Sequence, residues 1–159
     1  MASRIPVLGG CLCGSIRYES AAAPIKGLYC HCAMCRKAYG GLFQMTVRFA
    51  GSAFHYTKGM PKFYRSSAYA RRGFCPQCGS PIAFLYEGSP DTWTLFGSLD
   101  QPGDWPMTKD ASWGPVVHFC IESKVAWHEI TDGLPQMTLE EIPVRVTAIE
   151  RAGGTDPSQ

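Results

Sequence analysis

The 159-residue sequence has no marked surplus of charge: fifteen basic side chains face thirteen acidic ones for a net +2, and no basic run is longer than two residues, as at Arg71-Arg72. That excludes the dense cationic tract that drives counterion release on nucleic acid, so no nucleic-acid partner is expected. No apolar stretch is long enough for a signal-peptide core or a membrane span, which predicts a cytoplasmic protein with no membrane partner. Internal repeats, an interdomain linker and a phosphate-binding loop are missing too. Gly40-Gly41 is not followed by the Lys-Ser/Thr of a phosphate loop and reads as a turn. Long stretches free of helix breakers are scarce, because seventeen glycines and twelve prolines are spread through the chain. They punctuate short aromatic and β-branched runs, the pattern of a mainly β domain with little helix.

One domain is expected over residues 1–150, followed by a frayed tail over 151–159 that has nothing to bury. Strands are predicted at Ser15–Glu19, Leu28–His31, Phe43–Phe49, Ala53–Tyr56, Lys62–Arg65, Ile82–Tyr86, Thr92–Gly97 and Val116–Ile121. A short helical turn is predicted at Cys32–Gly40, and a second short helix from Thr138 to Pro143. Trp93, Trp105, Trp113 and Trp127 include at least two core residues on this reading, and Tyr29 is equally suited to packing. Asp100 and Asp104, among glycine and proline, read as loop residues.

What the chain does have is cysteine in clusters. Seven of its eight cysteines fall into three groups: Cys11 and Cys13; Cys30, Cys32 and Cys35; Cys75 and Cys78. Neighbours this close in sequence are badly placed to bridge each other, and in a reducing compartment they point to a metal, with zinc the expected occupant. Cys75-Pro76-Gln77-Cys78-Gly79 has the spacing of a zinc knuckle but supplies only half a site. The other half is either Cys11 and Cys13 or two members of the triple. Taking two from the triple would strand three thiols, so the economical set is Cys11, Cys13, Cys75 and Cys78, a closed structural zinc.

Cys30, Cys32 and Cys35 then form a separate three-thiolate site, the arrangement of a catalytic zinc with one exchangeable position. Closure by a fourth protein ligand is the alternative, with Cys120, His31, His118, His55 and His128 as candidates. Cys120, within an apolar run, suits a small buried hydrophobe, and His31, between two ligands, is expected to point away from the metal. A zinc with three thiolates carries net −1 and is a poor hydroxide generator, so it suits a substrate thiol held as thiolate to attack a carbonyl. Arg36, Lys37, Arg71 and Arg72 read singly as surface charge; as a group they can offset the thiolates or receive carboxylates.

At these residues the chain resembles the glutathione-dependent formaldehyde-activating enzyme (GFA) family, which also contains centromere protein V. The matching stretches are Gly10-Cys11-Leu12-Cys13-Gly14-Ser15-Ile16-Arg17-Tyr18, Cys30-His31-Cys32-Ala33-Met34-Cys35-Arg36-Lys37 with Gly40 and Phe43, and Phe74-Cys75-Pro76-Gln77-Cys78-Gly79-Ser80-Pro81-Ile82. Gly97-Ser98-Leu99-Asp100, Pro106, His118, Trp127 and Asp132-Gly133-Leu134-Pro135 follow in family order. The resemblance implies a β-tent of several small coiled antiparallel sheets organised around two zincs per chain. The structural zinc would sit on Cys11, Cys13, Cys75 and Cys78, and the catalytic one on Cys30, Cys32 and Cys35. It also implies a carbon–sulfur lyase whose partners are a small thiol, glutathione, and an aldehyde, formaldehyde, joined as S-(hydroxymethyl)glutathione. A zinc-stabilised binding module without turnover is the alternative function, since the fold alone does not decide between them.

Overall fold

The computed structural model describes residues 5–141, so the expected tail at 151–159 and the end of the second helix at Pro143 lie outside the described residues. Eleven strands and one α-helix are found there: β1 (Val7–Gly10), β2 (Arg17–Ser20), β3 (Lys26–Cys30), α1 (Ala33–Tyr39), β4 (Gln44–Phe49), β5 (Phe54–Lys58), β6 (Lys62–Arg65), β7 (Ala70–Phe74), β8 (Pro81–Tyr86), β9 (Thr92–Leu95), β10 (Val116–Phe119) and β11 (Gln136–Met137). The protein is mainly β, as its glycine and proline spacing predicts. The short helix expected from Thr138 is a single 3₁₀ turn, Leu139–Glu141. No helix among the described residues is long and apolar enough to cross a membrane.

Two sheets result. A three-stranded sheet runs β1-β2-β5, and an eight-stranded sheet runs β11-β10-β3-β4-β9-β8-β7-β6. Pairing is antiparallel, as expected, except around β10, which lies parallel to β3 on one side and to β11 on the other. Parallel neighbours need a long crossover. Here the parallel pairing brings the chain after β10 alongside the end of β3 and the start of α1, where the cysteine triple lies.

Strand β4 shows why these residues extend: Gln44, Thr46, Val47 and Phe49 are buried, while Met45 and Arg48 are only partly covered. Val47 and Phe49 join Ile16, Tyr18, Ile82, Ala83 and Trp105 in the main core. Trp93 and Trp105 are buried, Trp113 packs edge-on against Trp105, and Trp127 is 74% exposed. The expectation of at least two core tryptophans is met.

Strands β1, β7 and β11 have no counterpart among the predicted ones. Val7-Leu8-Gly9-Gly10 and Ala70-Arg71-Arg72-Gly73-Phe74 contain the residues that usually end strands, and register with neighbours overrides this. In β7 the alternation is real: Ala70 and Arg72 are buried and Arg71 is exposed. The strand predicted to Ile121 stops at Phe119, because Cys120 takes a left-handed backbone with φ 54° and opens a 3₁₀ turn at Ile121–Ser123. His118 and Cys120 therefore do not share a strand face.

Candidate metal centres

Two knuckles build the first centre. The turn between β1 and β2 carries Cys11 and Cys13, and the turn between β7 and β8 carries Cys75 and Cys78. Each turn closes by a backbone hydrogen bond from a glycine, Gly14 N–H to the Cys11 carbonyl at 3.1 Å and Gly79 N–H to the Cys75 carbonyl at 2.9 Å. Both glycines have positive φ, 72° and 75°, which residues with a β-carbon adopt only under strain. This folds two sulfurs of each turn towards the other turn.

The four sulfurs all lie within 4.8 Å of one another, with Cys11–Cys13 at 3.5 Å and Cys13–Cys75 at 3.8 Å. Four sulfurs about 2.3 Å from a common tetrahedral ion would sit about 3.8 Å apart, so the set fits zinc. All eight cysteines are free thiols. The Ser15 hydroxyl reaches three of the sulfurs, Cys13 at 3.0 Å, Cys75 at 3.3 Å and Cys11 at 3.6 Å. Burial opposes ionisation of Cys11, yet Ser15, the Ile16 amide and the neighbouring thiols pull its pKa down to about 5. Hydrogen bonds from Ser80 lower Cys78 to about 7. Cys11 and Cys78 are thus disposed to give up protons, as a metal demands, whereas contacts with those two thiols push Cys13 the other way.

The second centre forms where β3 ends and α1 begins. Cys30 is the last residue of β3, Cys32 caps α1 by accepting the Cys35 amide on its sulfur at 3.3 Å, and Cys35 lies in the first turn. Their sulfurs are also mutually within 4.8 Å, which suits three legs of one tetrahedral ion. Gly40, with φ 69°, caps the helix C-terminus and donates to the Arg36 carbonyl, so Gly40-Gly41 is a turn as expected. Hydrogen bonds from Cys30 and Cys35 pull the Cys32 pKa down to about 3. Contacts with Cys120 and Cys32 push Cys30 well up, and contacts with Cys30 and Cys32 do the same to Cys35. The three thiols are coupled, so a proton lost from Cys32 raises the cost of losing one from Cys30 or Cys35, a cost that a bound cation would offset.

Each candidate for a fourth ligand has a defined place. Cys120 packs beside Cys30 but falls outside the mutually close set. His31 is fully buried and points to His118, with His31 Nε2 2.8 Å from His118 Nδ1. The other His118 nitrogen, Nε2, lies 2.8 Å from the Asp132 carboxylate, so both ring nitrogens are engaged. His128 stacks near His31 at 6.0 Å between ring centroids, and His55 pairs with Glu19 in the three-stranded sheet. No histidine joins the triple.

The four basic residues part company. Arg71 is exposed and pairs with Glu87 at 3.0 Å, and Lys37 is exposed. Arg36 bonds the carbonyl of His31 at 2.7 Å and also that of Ser123, clamping the loop after β10 to the triple. Arg72 is buried, with Nη2 3.6 Å from the Cys35 sulfur and Nη1 bonded to Tyr39 Oη and Gln44 Oε1. Tyr39 and Gln44 were not singled out in sequence; only the alternation of β7 and β4 could have pointed to that buried corner. Tyr29 stacks on His118 and bonds the Met107 carbonyl, a packing role, and Asp100 pairs with Arg17.

Comparison with known proteins adds to this geometry. An uncharacterized lyase of Schizosaccharomyces pombe is 25% identical over 134 residues, covering 84% of this chain and 92% of the relative. A crystal structure of a Rhodobacter sphaeroides protein aligns with a TM-score of 0.48 at 20% identity, covering 58% of this chain and 87% of the other. The family model for the glutathione-dependent formaldehyde-activating enzyme matches residues 6–122, a span that takes in both cysteine clusters, and the chain belongs to that family.

Proposed function

We propose that the protein is a zinc-dependent lyase that makes and breaks a carbon–sulfur bond between a small thiol and an aldehyde. By family, these are glutathione and formaldehyde, giving S-(hydroxymethyl)glutathione. The relative in Schizosaccharomyces pombe carries the name lyase, which supports the reaction class. In this reading Cys11, Cys13, Cys75 and Cys78 hold a structural zinc, and Cys30, Cys32 and Cys35 hold a catalytic one. Both belong to one domain over residues 1–150 working in the reducing cytoplasm, consistent with eight free thiols.

The observation that carries the reading is the inequality of the two sets: four mutually close sulfurs in one and three in the other. A zinc on the triple supplies a Lewis-acidic position where a thiol is favoured as thiolate. The thiol loses its proton, its sulfur forms a bond to the carbonyl carbon, and the carbonyl π pair moves to oxygen, which takes a proton. No oxidant or reductant is needed, and the reverse steps release the aldehyde. The protein's own contribution is placement. Cys32 at the start of α1 is the most exposed of the three sulfurs and marks the side open to substrate, while Cys30 and Cys35 are buried.

The test is exchange spectroscopy on glutathione and formaldehyde at neutral pH, compared with the uncatalysed exchange. Wild type should accelerate it, and Cys32→Ser should remove the acceleration while the fold persists. Exchange no faster than in buffer would sink the proposal. A closed, non-catalytic centre rests on the position of Cys120 beside Cys30, and metal counting on Cys120→Ala separates the two readings.

A further inference from the structure

Arg72 is 8% exposed, and among the described residues no carboxylate lies within ion-pairing distance of it. Its guanidinium stacks on Phe84 at 4.8 Å and Tyr39 at 5.1 Å. Nη1 donates to two neutral oxygens, Tyr39 Oη at 3.0 Å and Gln44 Oε1 at 3.2 Å. Nη2 reaches the Cys35 sulfur at 3.6 Å, and Nε is buried without a partner. Arginine stays protonated in proteins, and burying its charge unpaired is costly. Among the described residues, the group in its shell that most readily carries the opposite charge at neutral pH is the cysteine triple, reached through Cys35.

We propose that Arg72 is the built-in counter-ion of the Cys30, Cys32 and Cys35 centre, and that its charge is what admits a deprotonated thiol as the exchangeable ligand. The proposal rests on the reading that the triple binds a divalent metal. A dication with three thiolates carries −1, and Arg72 brings the sum to zero. An incoming thiolate then leaves −1, where without Arg72 it would leave −2 in a buried corner. A neutral ligand such as imidazole gains little from Arg72, so the guanidinium selects for the thiolate class. Arg72 is a positioning residue in this role, acting through Cys35.

Cobalt(II) loaded in place of zinc reports the centre through its thiolate charge-transfer bands, and the difference between wild type and Cys32→Ser isolates the triple from the quartet. Titration with 2-mercaptoethanol and with imidazole then measures anionic and neutral ligands separately. Arg72→Gln should weaken 2-mercaptoethanol binding by about tenfold or more and leave imidazole binding within about twofold, as expected for losing one nearby charge. Arg72→Lys, which keeps the charge, should recover part of the thiol affinity. Gln44→Glu is close to isosteric, sets a competing carboxylate beside the guanidinium, and should weaken thiol binding in the same direction even if the Arg72 variants fail to fold. Equal losses for both ligands, or equal losses in Arg72→Lys and Arg72→Gln, would overturn the counter-ion role. Wild type without cobalt–thiolate bands from the triple would instead overturn the metal reading.

Discussion

His31 and His118 face each other through 2.8 Å between Nε2 and Nδ1, although they are far apart in sequence, and Asp132 holds the far side of His118. Partial burial disfavours the ionised form of Asp132, but hydrogen bonds from His118 and the Leu134 amide hold its pKa below the ordinary carboxylate range. It therefore accepts a hydrogen bond from His118 Nε2–H, which leaves His118 Nδ1 to accept one from His31 Nε2–H. The chain pins the loop carrying Asp132 to the peptide between two cysteines of the triple.

His31 gives the fold a dependence on acid. Burial, and then the charges of His118, His128, Lys124 and Arg36, lower its pKa to about 4 from an ordinary 6.5. Above pH 6.5 it is neutral whether folded or not. As pH falls from 6.5 towards 4 the unfolded chain takes up a proton that the folded one refuses, so stability drops, by at most about 3 kcal/mol. His31→Gln should lose less stability than wild type across that window in chemical denaturation; parallel curves would refute the assignment. The comparison cancels proton uptake by cysteines common to both proteins.

The two cysteine sets should respond differently to a single serine. Wild type is expected to hold about two zincs per chain by elemental analysis. Cys75→Ser should unfold or melt far lower, as loss of a structural zinc commonly costs several kcal/mol. Cys32→Ser should lose one zinc and keep its circular dichroism and most of its melting temperature. Equal collapse of the two variants would mean that both centres are structural.

Cys120 should prove dispensable to metal. It sits in a left-handed turn beside Cys30 but outside the close set. Cys120→Ala should keep two zincs, with a stability change of about 1 kcal/mol from lost packing. A fall to one zinc would show a closed centre.

At the knuckle, Gly79→Ala tests backbone alone. A β-carbon there meets nothing within 4 Å, so the cost is the positive φ, about 1–2 kcal/mol. Asparagine tolerates that conformation better, so Gly79→Asn should melt above Gly79→Ala at matched zinc.

Much of the site was legible because cysteine spacing is a local signal: both sets that assemble in space are the ones the arithmetic of the sequence pairs. Helix α1 was legible for the same reason, bounded by Cys32 and Gly40. What escaped were features made by long-range register. Arg72 looks identical to Arg71 along the chain, and only the pairing of β7 with β6 and β8 sends one to solvent and the other to Cys35. Strand β11 is only two residues long and β1 ends on Gly9-Gly10, so neither announces itself without a neighbour. His118 could be singled out, but its tie to His31 depends on β10 running parallel to β3, which no local pattern records.

The triple is contained in six consecutive residues, whereas the quartet joins Cys11 and Cys13 to Cys75 and Cys78. During synthesis the first is complete as soon as Cys35 leaves the ribosome, and the second must wait until Cys78 has followed. On the proposed metal reading, position along the chain sets which site is available first: a local claw whose sulfurs emerge together, and a long clasp on the N-terminal strand that closes only after the triple is complete.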